Sequence, residues 1–113
     1  MPSSNPALRL RDIAENIRAI FEYVKGMDRA AFLADRKTQD AVERCLLRLS
    51  EAAIKLGPYA EETFPGHDWA GARAIGNVLR HAYDEVDPVI LWTVIESSLP
   101  SLLGDIEKAI SDL

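Results

Sequence analysis

Apolar residues recur every three to four positions along almost the whole chain, and no stretch alternates with the period of two that a half-buried strand needs. Such a chain has one economical way to bury its apolar stripes, which is helix against helix. The first stripe is Leu10, Ile13, Ile17, Ile20, Phe21 and Val24, predicting a helix from about Leu8 to Lys25 that stops at Gly26. Asp28 is a cap residue for a short turn through Phe32 and Leu33. A second long helix, from about Thr38 to Leu56, carries Val42, Cys45, Leu46, Leu49, Ala53 and Leu56, and Gly57-Pro58 ends it. After a connector with room for one turn at Tyr59 to Thr63, Asp68 caps a third long helix, Trp69 to about Tyr83. Asp87-Pro88 opens the last helix, which Pro100 should kink or break before the pattern resumes at Leu102, Leu103, Ile106 and Ile110. The expected fold is all-α: an antiparallel bundle of four main helices plus a short extra helix.

One domain spanning 1–113 accounts for the length, with residues 1–7 expected to be a flexible N-terminus. Met1 to Pro6 lacks the basic and apolar regions of a signal peptide, and no uninterrupted apolar run approaches the ~20 residues of a membrane span. Cys45 is the single cysteine and lies on an apolar stripe, which reads as a buried thiol and points to the cytoplasm. The net charge of −5 argues against holding nucleic acid by bulk charge, so any RNA contact must come from a local basic cluster or a partner. No set of ligands for a metal is apparent: His67 and His81 fall in different elements and there is no cysteine pair.

The third long helix concentrates the chemistry. At 100° per residue, Arg73, Asn77, Arg80, His81 and Asp84 fall within about a 100° sector. Two guanidinium groups can grip phosphate oxygens, an imidazole can move a proton near neutral pH, and an amide can orient it. The same spacing also fits an ordinary solvated face with an Arg80–Asp84 ion pair one turn apart.

The run Ile75-Gly76-Asn77-Val78-Leu79-Arg80-His81-Ala82-Tyr83, followed by Val86-Asp87 and Trp92 and preceded by Trp69, resembles the signature region of the HepT-like family of HEPN proteins. Leu10-Arg11-Asp12-Ile13, Phe32, Asp35, Asp40-Ala41-Val42-Glu43-Arg44, Ser50-Glu51-Ala52-Ala53 and Leu99-Pro100-Ser101-Leu102 extend the likeness from Leu8 to Ile110. One position departs from the family core of Arg-Asn-x-x-x-His-x-Tyr: the arginine is Gly76 here, with Arg73 and Arg80 as the nearby replacements.

The resemblance implies a metal-independent ribonuclease that needs no cofactor, with its site at a homodimer interface. It assigns His81 as general acid or base for attack by the ribose 2′-hydroxyl, Arg80 or Arg73 to the phosphate, and Asn77 to orienting His81 or binding a phosphate oxygen. It also implies a toxin–antitoxin pair, in which a small nucleotidyltransferase silences the toxin by attaching AMP to Tyr83. Gly76 and the acidic charge favour a second reading, a HEPN subunit that binds a nucleotidyltransferase or nucleic acid without cutting. A third is a helical dimerisation module with no ligand.

Overall fold

The computed structural model describes residues 5–82 and 86–113; every described regular element is helical. Asn5 caps α1 (Pro6–Tyr23), its side chain accepting a hydrogen bond from the Leu8 amide at 3.2 Å. Ordered helix thus begins inside the segment expected to be flexible, because a capping residue followed by proline at the first turn is itself a helix start. Asp28 caps α2 (Arg29–Leu33), and Asp35 caps α3 (Arg36–Leu56) by accepting from the Thr38 amide at 3.0 Å. The predicted start at Thr38 is therefore two residues late. The apolar stripe alone cannot mark the polar first turn, whereas the Asp35 cap does. Gly57, with φ of 59°, closes α3 in the left-handed region that glycine enters without penalty.

Short α4 (Tyr59–Thr63) leads to α5 (Trp69–His81), capped by Asp68 and ending at Ala82. The predicted end at Tyr83 lies outside the described residues. The last path is helical throughout: α6 (Pro88–Thr93), a wider π turn over Val94–Ser98, then α7 (Leu99–Ser111). The Leu99 amide bonds back five residues to the Val94 carbonyl. Pro100 therefore does not end the helix. The widened turn immediately before it takes up the missing donor and the ring's clash with the preceding carbonyl.

α3 is the central element, with α1 on one side and α5 on the other. Both neighbours run antiparallel to it: Arg9 shares a groove with Lys55 while Tyr23 meets Cys45, and Arg73 meets Gly57 while Arg80 meets Glu51. α7 packs on α1, and α6 lies against α2 and α3. The stripes read from sequence form the core: Leu10, Ile13, Ile17 and Ile20 of α1 meet Val42, Cys45, Leu46 and Leu49 of α3, all buried. Phe32 packs its ring on Trp92 at 5.3 Å between centroids, which pins α2 to α6. By length and composition Pro88–Ser111 could cross a membrane, a property that counting uninterrupted apolar runs does not register. In this fold its Leu91, Trp92, Ile95, Leu99, Leu102 and Ile106 are buried in the bundle core.

Two contacts set the start of α5. Trp69 is buried and its indole N–H donates to the Phe64 carbonyl at 3.0 Å. The Asp68 carboxylate accepts from the Gly71 amide at 2.8 Å, and a β-carbon on Gly71 would overlap that carboxylate. Asp68→Ala should therefore cost about 1 kcal/mol, the usual worth of a cap. Urea titration checks this; an unchanged midpoint would show that Trp69 alone fixes the helix start.

Candidate active site on the third long helix

Close approach of α3 and α5 creates the site. Gly76 is buried, and a β-carbon there would overlap the Ser50 side chain. Ser50 is itself fully buried, and its hydroxyl donates to the Arg73 carbonyl at 3.1 Å. Glycine at 76 is thus a packing requirement of this interface, which explains why no larger residue stands at the position of the family's arginine. An arginine side chain would have to displace α3.

The two arginines of the predicted sector have different surroundings. Arg73 is held at four points: Nη1 and Nη2 donate to Glu61 at 2.8 and 2.7 Å, Nη2 donates to the Gly57 carbonyl at 3.0 Å, and Nε donates to the Ala53 carbonyl at 3.3 Å. This fork ties α5 to α4 and to the end of α3, with its donors spent inside the protein. Hydrogen bonding from Arg73 holds the Glu61 carboxyl below the ordinary carboxylate range, and the same bonds raise the Arg73 pKa. Arg80 is exposed and, among the described residues, makes a single ion pair, to Glu51 of α3. The Arg80–Asp84 pair considered from spacing falls partly outside the described residues, as does Tyr83.

Asn77 and His81 are exposed. Among the described residues their side chains have no hydrogen-bond or ion-pair partner. One helical turn apart, they lie side by side next to Arg80. An open imidazole, an open amide and a guanidinium with one exchangeable partner can receive a phosphodiester and transfer a proton.

His67 belongs elsewhere. Its Nε2 meets Asp105 Oδ2 at 2.7 Å and its ring stands edge-on to Trp69, tying the connector to α7. Burial raises the pKa of the Cys45 thiol, as expected for a structural cysteine. Among the described residues no group of three or more His, Cys, Asp or Glu side chains is placed to hold a metal ion. Sequence reasoning missed the partners Glu51, Glu61 and Ser50, which lie 12 to 29 positions away from the arginines and glycine they serve. Only the i,i+4 rhythm of Glu51 with Lys55 on α3 hinted at a charged face there.

The Glu61–Arg73 clamp gives a pH signature. Glu61 titrates lower in the folded protein than in the unfolded chain. Its stabilising contribution is therefore complete above the ordinary value near 4.5 and is lost as pH falls through the lowered folded value. Asp35, lowered chiefly by the Thr38 amide, acts in the same sense; Glu43, raised by burial, acts in the opposite one. Glu61→Gln should flatten the acid limb of a stability-versus-pH curve, measured by urea unfolding. An acid limb identical to wild type would remove Glu61 from the clamp.

The chain matches the family described as "Ribonuclease HepT-like" over residues 13–109. It is 36% identical over 99 residues to the Thermococcus cleftensis protein named "Probable ribonuclease HepT", covering 88% of this chain and 90% of that protein. It is 31% identical over 113 residues to the Methanocaldococcus jannaschii protein named "Putative RNase MJ0127", covering 100% of this chain and 93% of that one. No solved structure matches it. The matched span takes in the whole α3–α5 pairing that presents Asn77, Arg80 and His81, and on this ground the chain belongs to the HepT-like ribonuclease family of HEPN proteins.

Proposed function

We propose that this protein is a metal-independent ribonuclease in which His81 is the general acid or base for attack by the ribose 2′-hydroxyl on the adjacent phosphodiester. The observation that carries the reading is the exposed pair Asn77 and His81, unpartnered among the described residues, beside Arg80 on one face of α5, in a chain of this family. Arg80 is the phosphate ligand, since its ion pair with Glu51 can exchange for a phosphate oxygen, while Arg73 is committed to Glu61 and two carbonyls. Asn77 orients the imidazole or donates to the phosphorane oxygen.

In the same reading the protein is a cytoplasmic homodimer with α5 at its interface. It is the toxin of a pair whose antitoxin is a small nucleotidyltransferase, and Tyr83 is the AMP acceptor. Tyr83 follows His81 by two residues, so a nucleotide attached there adds bulk and negative charge beside the imidazole. Gly76 favours the other reading, a non-cutting subunit, because its packing against Ser50 leaves no room for the family's arginine.

The test is cleavage of total RNA by the purified protein in the presence of a chelator, wild type beside His81→Ala. Cleavage by wild type alone supports the ribonuclease; no cleavage by either supports the non-cutting subunit. For the regulatory half, mass spectrometry of the protein co-expressed with its nucleotidyltransferase should find AMP on Tyr83 and none on Tyr83→Phe. AMP on another residue would remove Tyr83 from the scheme.

A further inference from the structure

A second cationic surface lies beside the site, on a protein whose net charge is −5. Arg44, Arg48, Glu51 and Lys55 follow each other at steps of four, three and four residues, so they form one stripe along the outer face of α3, about 16 Å long. Arg44, Arg48 and Lys55 are exposed and have no ion-pair partner among the described residues. The one anion in the stripe, Glu51, is paired with Arg80. Beside the stripe, α1 and α3 enclose a groove of about 270 Å³ lined by Arg9, Asp12, Asn16, Arg48, Glu51 and Lys55. Arg9 lies half-buried along this groove. Its Nη1 reaches Asp12 at 3.3 Å, while its buried Nε has no hydrogen-bond partner among the described residues. Farther along α1, the exposed Tyr23 side chain sits against Cys45, next in sequence to Arg44, and offers an aromatic face at the end of the stripe.

We infer that the α3 stripe and the α1–α3 groove form a track for the RNA backbone, continuous with the cleavage site through the Arg80–Glu51 pair. This rests on the ribonuclease reading and deepens it. A phosphodiester bound at Arg80 leads its neighbours over α3, where the exposed cations Arg44, Arg48 and Lys55 await them. Lysine and arginine spaced a turn apart, with a tyrosine at one end, suit a single strand: phosphates pair with the cations and a base stacks on the ring. The track reads no sequence, because phosphate contacts position RNA without specifying it. It also answers the acidic net charge, since Arg44, Arg48 and Lys55 make a local cationic stripe on that face.

The test measures binding of a fluorescein-labelled single-stranded oligouridylate of roughly twelve nucleotides by anisotropy across a salt series, in the His81→Ala background so that the probe survives. Arg48→Glu/Lys55→Glu should weaken binding about tenfold or more and reduce the salt slope by about 1 to 2 units. Lys37→Glu/Lys108→Glu, which changes net charge equally at exposed positions off the track, should leave the slope unchanged. Glu51→Gln should bind more tightly than the parent, a gain that damage to the fold does not produce. Loss of binding in the control pair equal to that in the track pair would reduce the effect to bulk charge and overturn the inference. Unchanged RNA affinity in the track pair, with lost binding to the co-expressed nucleotidyltransferase, would make the stripe a protein contact and overturn it too. If the parent binds no RNA, the ribonuclease reading fails first and the track with it.

Discussion

His81→Ala is expected to lower the rate of RNA cleavage by about a hundred- to ten-thousand-fold, the range that a positioned acid–base group contributes. The fold should not change, because His81 is exposed at the last turn of α5 and no described residue depends on its ring. The discriminating comparison is with the two arginines. Arg80→Ala should also depress cleavage while leaving the melting temperature nearly unchanged, since its ion pair with half-exposed Glu51 is a surface contact of small worth. Arg73→Ala should do the reverse. It leaves the Ala53 and Gly57 carbonyls and Glu61 without their donor, so it should destabilise the protein and affect cleavage mainly through lost folding. Single-turnover cleavage beside thermal melts separates the two patterns. Equal cleavage by wild type and His81→Ala would remove the imidazole from the chemistry. A folded, stable Arg73→Ala that fails to cleave would exchange the roles of the arginines.

Gly76→Arg, which writes the family's arginine back into the motif, is expected to destabilise the protein by about 3 kcal/mol or more rather than to enhance it. Inserting atoms into a filled contact typically costs about 1–3 kcal/mol, and here the added β-carbon already overlaps Ser50 before the rest of the side chain is placed. The smaller change Gly76→Ala separates two opposing terms. Alanine favours a helix over glycine by about 1 kcal/mol, while the Ser50 overlap opposes it. The overlap should win, giving net destabilisation in urea unfolding. In a Ser50→Gly background the overlap disappears, so the same Gly76→Ala change should become neutral or stabilising, with the coupling read from the double-mutant cycle. Stabilisation by Gly76→Ala in the wild-type background would mean that α3 and α5 can move apart. The packing explanation for the missing arginine would then fall. The experiment bears on function as well. If a Gly76→Arg protein held together by Ser50→Gly cleaves RNA and wild type does not, glycine at 76 is what makes the natural chain a non-cutting subunit.

The stripes of α1, α3 and α7, the Asp and Asn caps, the stop at Gly57-Pro58 and the start at Asp87-Pro88 are properties of neighbouring residues, so the sequence by itself determined the helices and their order. Burial followed, because a stripe such as Leu10, Ile13, Ile17 and Ile20 has nowhere else to go in water. It also determined that Arg73, Asn77, Arg80 and His81 share a face, since 3.6 residues per turn fixes their angles without any other part of the chain. What the sequence left open was the state of each of those side chains. Arg73 and Arg80 are alike in spacing and charge, yet one is bound to Glu61 and two carbonyls while the other, among the described residues, has only Glu51. That difference arises where α4 and α3 pass α5, 12 to 29 residues away in the chain. Local rules do not reach that far. The same holds for Gly76, which reads along the helix as a weak point in a motif and across the helix as the place where α3 fits. Pro100 shows the limit from the other side: by local rule it marks either a kink or a break, and the helix runs on through it because the π turn at Val94–Ser98 keeps Ile95 and Leu99 in the core.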